Sequence, residues 1–187
     1  MDIQFQSINP ENEYDLKRML VPLLFKKVFH ATDKSGFDGI IASGELLSGD
    51  KVGLEAQKWA RANSYFRNRE HISFCDFYHP TGCSKIRDGY RKYSFWRQKG
   101  EGAYLFILKD CHYSKLLTWD NLDKHKKYSE MVVPHIESGL KSPVPLAWFE
   151  TVIRIELWKN SPLWEQISNE DAATLLQSIK QRKNVQK

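Results

Sequence analysis

The sequence predicts one α+β domain whose strands are mainly antiparallel. Segments with helical spacing cluster near the two ends of the 187-residue chain, and segments with strand patterns occupy its middle. That grouping is typical of α+β domains, whereas a doubly wound parallel sheet needs strands and helices in alternation. The length fits one domain, and no repeat or Pro/Gly/Ser-rich linker interrupts it. We therefore expect a single domain over residues 1–187, with a frayed basic tail from about residue 183.

The first elements are a helix, a strand and a second, capped helix. Residues 12–20 have helical spacing, and Pro22 predicts that this helix ends before it, because the residue preceding a proline resists the α conformation. Residues 26–31 (KKVFHA) predict a strand. Asp33 then predicts the N-cap of a short helix, and Gly44 lies where a C-terminal glycine belongs.

The middle of the chain changes to strand patterns after a further predicted helix over 53–66. Alternating or continuous apolar runs predict four strands. These are HISFCDF at 71–77, AYLFILK at 103–109, YSEMVVP at 128–134 and TVIRIELW at 151–158. Segment 78–100, rich in Gly, Lys, Arg and Tyr, predicts mostly loop, and 161–182 predicts a C-terminal helix.

Composition leaves several function classes open and disfavours a membrane protein. The net charge is +5, the pI is about 9.0 and aromatic residues reach 13%. Nucleic-acid binders have this balance, and so do ordinary domains with aromatic cores. No run approaches the roughly 18 apolar residues of a membrane helix, and the start MDIQFQSINP lacks the basic and apolar regions of a secretory signal. We expect a cytoplasmic protein with no membrane partner.

The cysteines form a poor disulfide framework because they are few and odd in number. They are Cys75, Cys83 and Cys111. Zinc binding is the alternative, since His79, His112 and His135 are also present, but the spacings match no standard ligand pattern. We expect no metal site, with Cys75 and Cys111 as small buried side chains.

His30 and Thr32 are the first candidate site residues. They lie two apart on the first predicted strand, so their side chains point to the same face. A histidine there is suited to hold a ribose hydroxyl, and a threonine to hold an amide or a second hydroxyl. The alternatives are a hydrogen-bonded core histidine and a threonine that helps to cap the next helix.

The segment VFHATD followed by KSGFDGIIASGELL resembles the ADP-ribosyltransferase superfamily. In that superfamily the first strand carries H-x-T or H-G-x, and a short helix of the form x-x-I-x-x-x-G-L follows. The segment looks most similar to DarT-type toxins that modify DNA and to RNA 2′-phosphotransferases. The resemblance implies a split antiparallel β-sandwich with flanking helices, NAD⁺ as a substrate, and His30 and Thr32 as contacts to the ribose and the nicotinamide amide.

Two later segments extend the resemblance, which covers about residues 28–48 and 126–155. HISFCDFY falls where the family lines its nicotinamide pocket, which implies Ser73 and Phe74, with Tyr78 as an alternative stacking ring. An arginine near the NAD⁺ phosphates is a further family feature, and its candidates are Arg61, Arg67 and Arg69.

The third family element implies Glu130 as the catalytic residue, because YSEMVVPH resembles the family's x-x-E-V-x-V-P. Nicotinamide leaves through a transition state with oxocarbenium character, which a nearby carboxylate stabilises. The same group can accept a proton from the incoming nucleophile. The alternative is a solvated carboxylate at a strand end, and Glu150 and Glu156 are competing acids.

The loop DGYRKYSFWRQKG is the candidate substrate-binding segment. Its rings would stack on bases and its cations would hold phosphates. The residues are Arg87, Tyr90, Arg91, Lys92, Tyr93, Trp96 and Arg97. The alternative is a partly helical surface segment whose rings anchor it to the core.

Together these expectations describe an NAD⁺-dependent mono-ADP-ribosyltransferase. The basic charge and the aromatic loop favour a nucleic-acid acceptor, hence a toxin or phage-defence factor, with an antitoxin protein as a possible partner. One alternative is transfer to a protein acceptor. The other is an inactive nucleic-acid-binding or inhibitor module that keeps the fold.

Overall fold

A computed structural model of the chain describes residues 3–48, 64–79, 103–123, 130 and 132–156. The chain divides into a unit Met1–Leu157 and a unit Trp158–Lys187. The second unit, and with it the predicted C-terminal helix, lies outside the described residues. The predicted helix over 53–66 also lies outside them apart from its last three residues, of which Tyr65 and Phe66 lie in a turn.

The described part of the chain contains two α-helices and eight strands. The helices are α1 (Glu13–Leu24) and α2 (Lys34–Ser43). The strands are β1 (Gln4–Ile8), β2 (Val28–Thr32), β3 (Glu45–Leu46), β4 (His71–Asp76), β5 (Ala103–Leu108), β6 (Glu137–Lys141), β7 (Val144–Pro145) and β8 (Phe149–Ile155). In the described ranges, no helix is long and apolar enough to cross a membrane.

Six strands form one mixed sheet in the order β1-β8-β5-β2-β4-β6, and β3 and β7 form a separate pair. β1 runs parallel to β8, and the other pairings are antiparallel. The prediction of an α+β protein with mainly antiparallel strands is confirmed. The ADP-ribosyltransferase-like split β-sandwich stays a prediction.

Helix α1 continues past the point where the sequence predicts its end. Pro22 lies inside the helix, which runs to Leu24. Leu16, Leu20 and Leu24, each four residues apart, are all buried. Burying a leucine contributes roughly 1.5–3 kcal/mol, which offsets much of the cost of a proline near a helix end. The predicted stop at Pro22 is therefore wrong because tertiary burial outweighs the local preference.

Helix α2 has the predicted caps at both ends. The Asp33 side chain accepts from the Gly36 N–H at 2.8 Å. Gly44 adopts a left-handed conformation with φ of 73°, and its N–H donates to the Ile40 carbonyl at 2.9 Å. Ile40 is buried, so this short helix is fixed on the sheet directly after β2.

The strand predicted over 128–134 is wrong for the residues that the structure describes. Glu130 and residues 132–134 lie outside any strand, and a turn at 134–136 leads into β6, which begins at Glu137. Pro134 lacks the N–H that a strand interior needs, and His135 has a left-handed φ of 61°. The chain therefore turns before it pairs with β4.

The sheet opens between β2 and β4. These strands pair only at Val28 with Asp76 and at Phe29 with Cys75. Beyond Phe29, β2 continues to pair with β5, from His30 opposite Phe106 to Thr32 opposite Tyr104. β4 meanwhile continues to pair with β6. The backbone groups along the opening need other partners, and the candidate site lies there.

Candidate functional site

His30 lies at the point where β2 and β4 separate. Its Nδ1 lies 2.9 Å from the Ser73 carbonyl oxygen, which only accepts, so Nδ1 carries the proton and donates. Burial lowers the pKa of His30, and the hydrogen bond to Ser73 opposes that shift. The neutral ring therefore dominates at pH 7, and its Nε2 is an acceptor. Nε2 has no hydrogen-bond partner among the residues that the structure describes.

Ser73 connects His30 to a carboxylate that the sequence did not single out. The Ser73 hydroxyl donates to Glu137 Oε1, and the Val133 N–H donates to Glu137 Oε2 at 2.7 Å. Ser73 pairs with Gly139 across β4 and β6, which places the Glu137 side chain diagonally from Ser73 on the same face. Burial raises the pKa of Glu137, and the two hydrogen bonds oppose the rise. His30, Ser73 and Glu137 thus join three neighbouring strands.

Two other predicted site residues, Phe74 and Thr32, contact neighbouring side chains and the helix α2. Phe74 is 1% exposed. Its ring lies 5.8 Å from the His30 ring and 6.4 Å from the Phe149 ring, centroid to centroid. Thr32 lies against the first turn of α2, where a Cβ added to Gly36 would be 2.0 Å from Thr32 Oγ1. Phe74 therefore supports His30 from the core, and the absence of a Cβ at Gly36 leaves room for Thr32.

Glu130, the predicted catalytic residue, forms a two-pronged ion pair with Arg69. Arg69 Nη1 donates to Glu130 Oε2, and Nη2 donates to Oε1 at 3.3 Å. Arg69 Nη1 also donates to the Tyr65 carbonyl at 2.7 Å, and its guanidinium lies 3.8 Å from the Tyr65 ring centroid. The side chains of Arg69 and Glu130 are 23% and 18% exposed. The pair is fixed in geometry and still reaches solvent.

A small apolar cluster links the ion pair to the carboxylate on β6. Tyr65 and Phe66 pack with Trp119 and Leu122, and Val132 packs against this cluster. The Phe66 ring lies against Gly139, where an added Cβ would be 2.2 Å from the ring. Gly139 is the register partner of Ser73. Glu130 and Glu137 therefore bracket a short segment that is held at its start by Arg69 and near its end by the bond between Val133 and Glu137.

The other predicted site residues fall into two groups. Arg61 and the predicted substrate loop lie outside the described residues, so their assignments stay predictions. The loop residues are Arg87, Tyr90, Arg91, Lys92, Tyr93, Trp96 and Arg97. Tyr78 is 47% exposed and its ring lies 4.8 Å from the Tyr113 ring, beyond the end of β4. Arg67 begins the short 3-10 helix that ends at Arg69.

The competing acids are used in local ion pairs. Glu150 Oε1 lies 2.7 Å from Lys27 Nζ, as the sequence allowed, and Glu156 lies 3.3 Å from Arg154. Neither contact involves His30 or Ser73. Glu137 is hydrogen-bonded to Ser73 beside the opening between β2 and β4, and Glu130 is paired with Arg69 before the start of β4.

The cysteines differ in their surroundings. Cys75 is half-buried on β4 opposite Glu137, and burial followed by the nearby carboxylate raises the pKa of its thiol. Cys111 is exposed, so the expectation that it is buried is wrong. Its place in a surface 3-10 helix, Asp110–Lys115, explains the exposure. Within the described ranges, no group of three or more His, Cys, Asp or Glu side chains is placed to hold a metal ion.

No family model matches this chain, and comparisons with curated proteins and with solved structures give no significant match. The resemblance to ADP-ribosyltransferases therefore depends on the motifs of the sequence. The site geometry is independent of that resemblance.

Sequence reasoning missed Glu137 and could not choose among the arginines. Glu137 was missed because ESGLK lacks the alternation and β-branched residues that mark a strand. One usable signal existed, since Pro134 indicates that a strand starts after it and not before. The contact of Arg69 with Glu130 is tertiary, and no local pattern encodes it.

Proposed function

We propose that this protein is an NAD⁺-dependent mono-ADP-ribosyltransferase with a nucleic-acid acceptor. The observation that carries the proposal is the connection of His30 and Glu137 through Ser73 on β4, together with the ion pair of Glu130 and Arg69. His30 is hydrogen-bonded to the Ser73 carbonyl oxygen, and the Ser73 hydroxyl is hydrogen-bonded to Glu137. Glu130 is hydrogen-bonded to Arg69, which lies four residues before Ser73 in the sequence. These groups match the chemical needs of nicotinamide release from NAD⁺.

His30 is suited to orient the substrate ribose. Its neutral ring offers Nε2 as an acceptor, because Nδ1 donates to the Ser73 carbonyl. A ribose hydroxyl of the substrate can donate a hydrogen bond to Nε2. The hydrogen bond to Ser73 and the ring of Phe74 fix the ring plane, so little conformational entropy is lost when the substrate binds.

Glu130 is the proposed catalytic carboxylate. A negative charge beside the ribosyl cation lowers the free energy of the transition state, and the charge acts best where it is preorganised. Arg69 holds both oxygens of Glu130 in a site that still reaches solvent. Among the described residues, Glu137 accepts from the Ser73 hydroxyl and the Val133 N–H and has no cationic partner of the kind that Arg69 gives Glu130. We assign Glu137 the role of fixing Ser73 and, through it, His30.

The nucleic-acid acceptor is supported by the basic balance of the chain and by the aromatic and basic residues of segment 87–97. A transferase of this kind would act in the cell as a toxin or as a phage-defence factor. Expression of the intact chain would then slow growth, and Glu130→Ala would relieve the effect.

The test is incubation of the purified protein with NAD⁺ labelled in the ADP-ribose, together with DNA, RNA and cell extract in separate reactions. Label on DNA or RNA that is lost in Glu130→Ala supports the proposal. Label on protein bands alone would replace the nucleic-acid acceptor by a protein acceptor. A folded sample that consumes no NAD⁺ with any acceptor would reduce the proposal to an inactive binding module.

A further inference from the structure

A second surface of the described chain combines cations with stacked rings. The 3-10 helix Asp110–Lys115 lies beside Trp148, and the ring of His112 stacks on the Trp148 ring with centroids 4.2 Å apart and planes 14° apart. Lys115 Nζ lies 4.0 Å from the centroid of the same Trp148 ring. Lys109 Nζ donates to the Ala147 carbonyl at 2.7 Å. We call Lys109, His112, Lys115 and Trp148 the basic-aromatic surface.

The core holds this surface in place from below. Tyr113 and Leu116 are buried, and the Tyr113 hydroxyl accepts from the Val28 N–H at 3.2 Å. The Lys109 N–H also donates to the Trp148 carbonyl at 2.8 Å. Lys115 is exposed, and His112 and Trp148 are half-buried. A ligand would therefore meet side chains that are already ordered, which reduces the entropy lost on binding.

The rings and the cations of the surface have separate roles. Partial burial, Lys115 and Lys109 together lower the pKa of His112, so its ring is uncharged at neutral pH. His112 Nδ1 is buried and has no hydrogen-bond partner in the part of the chain that the structure describes, which also disfavours a second ring proton. The positive charge then comes from Lys109 and Lys115, against the exposed carboxylate of Asp110. The uncharged, half-buried His112 ring, stacked on Trp148, supplies the aromatic part of the surface.

We propose that the basic-aromatic surface binds single-stranded nucleic acid, with Lys109 and Lys115 on phosphates and a base stacked on His112. A ring stack and two lysines on one surface fit a base and its neighbouring phosphates, because rings stack on bases and cations hold phosphates. An acidic peptide would form ion pairs with the lysines, but its carboxylates would make no stacking contact with the rings. A duplex covers the faces of its bases and would leave the same ring unused. This inference extends the proposed function by naming where the acceptor polymer docks, and the binding itself requires neither NAD⁺ nor a carboxylate.

The experiment is equilibrium binding of a fluorescein-labelled 12-nucleotide single strand of mixed sequence to the full chain, without NAD⁺, at several salt concentrations. Lys109→Gln with Lys115→Gln removes two charges from the surface, and His112→Ala removes the ring without changing the charge at pH 7.5. The matched control is Arg18→Gln with Lys141→Gln, which removes two charges from exposed positions on α1 and β6. Circular dichroism and thermal melts verify that each variant folds.

We expect the lysine pair to reduce the slope of log Kd against log salt by about 1.4 units, since each phosphate contact of a single strand contributes about 0.7. His112→Ala should weaken binding roughly tenfold at constant salt slope, as expected for one lost base stack. The charge-matched control should change Kd less than threefold. The binding is measured without NAD⁺ and requires no turnover, so failure of the enzymatic proposal and failure of this inference are distinguishable.

Three results would overturn the inference. In the first, the single strand does not bind at low salt. In the second, the lysine pair and the control weaken binding equally, which means diffuse charge attraction. In the third, a blunt duplex or polyglutamate of matched charge competes as well as the single strand does, which means that the rings have no part in recognition.

Discussion

Substitution of each candidate carboxylate by glutamine distinguishes a catalytic Glu130 from a catalytic Glu137. Glu130→Gln keeps the shape of the side chain and removes its charge beside Arg69. Glu137→Gln does the same beside Ser73 and Val133. If Glu130 stabilises the ribosyl cation, Glu130→Gln should lower kcat for NAD⁺ consumption by about 100- to 1000-fold, the loss typical when one preorganised charge-stabilising group is removed.

The two substitutions should destabilise the fold by similar amounts, so each serves as a control for the other. Arg69 keeps its bond to the Tyr65 carbonyl and its contact with the Tyr65 ring when Glu130 changes. The lost pair is partly exposed, so the cost lies between that of surface and buried pairs, at about 1–2 kcal/mol. Glu137→Gln leaves one of two donors without an acceptor, a cost of about 1–3 kcal/mol.

The assay is steady-state release of nicotinamide over a range of NAD⁺ concentrations, which gives kcat and KM, with unfolding by urea measured on the same samples. We expect Glu137→Gln to lower kcat less than tenfold and to act mainly through the placement of His30, seen as a higher KM. The reasoning is refuted if folded Glu130→Gln retains most of the wild-type kcat while Glu137→Gln loses it. That pattern would make Glu137 the catalytic carboxylate and leave Glu130 an anchor of the segment before β6.

Three further predictions concern packing and protonation. Gly36→Ala should destabilise the protein by about 1–3 kcal/mol, because the new Cβ would lie 2.0 Å from Thr32 Oγ1, whereas Gly39→Ala on the same helix meets nothing within 4 Å and should stabilise by about 0.5–1 kcal/mol in urea unfolding. The raised pKa of Glu137 means that the folded chain holds this proton more tightly than the unfolded chain, so its contribution to the free energy of unfolding should fall as pH rises from about 4.5 through the folded pKa. A Glu137→Gln variant should lack that fall, and a matching pH profile of its unfolding free energy would contradict the prediction. The lowered pKa of His30 predicts that its ring titrates below the usual value of about 6.5 in a histidine NMR titration, and a titration above 6.5 would show that Nε2 is not a free acceptor at neutral pH.

Local signals predicted the elements whose stability is local. Asp33 and Gly44 mark the two ends of α2 because each satisfies backbone groups within one turn of the helix. The alternation in HISFCDF predicted β4 because one face of that strand is buried, as in Ile72, Phe74 and Asp76. These parts of the fold could be predicted because the residues that cause them are adjacent in sequence.

The missed parts depend on partners distant in sequence. β6 forms because Glu137 to Lys141 pair with β4 and because Gly139 leaves room for the Phe66 ring, and neither fact is visible in ESGLK. Pro22 is tolerated because Leu20 and Leu24 on either side of it are buried. The parallel pairing of β1 with β8 likewise joins the two ends of the described chain. In each case tertiary packing outweighs a local preference.

Ser73 has contacts in the structure that the sequence did not predict. The resemblance implies that Ser73 lines the nicotinamide pocket, and this assignment stays a prediction. In the structure the hydroxyl of Ser73 donates to Glu137, while its carbonyl oxygen accepts from His30. The second bond exists because β2 and β4 separate after Phe29, which leaves that carbonyl without a strand partner. The opening of the sheet leaves a backbone acceptor without a strand partner, and the Nδ1–H of His30 supplies the missing hydrogen bond. The separation of β2 and β4 therefore determines both the shape of the sheet and the position of the His30 ring, and the motif residues alone do not show this.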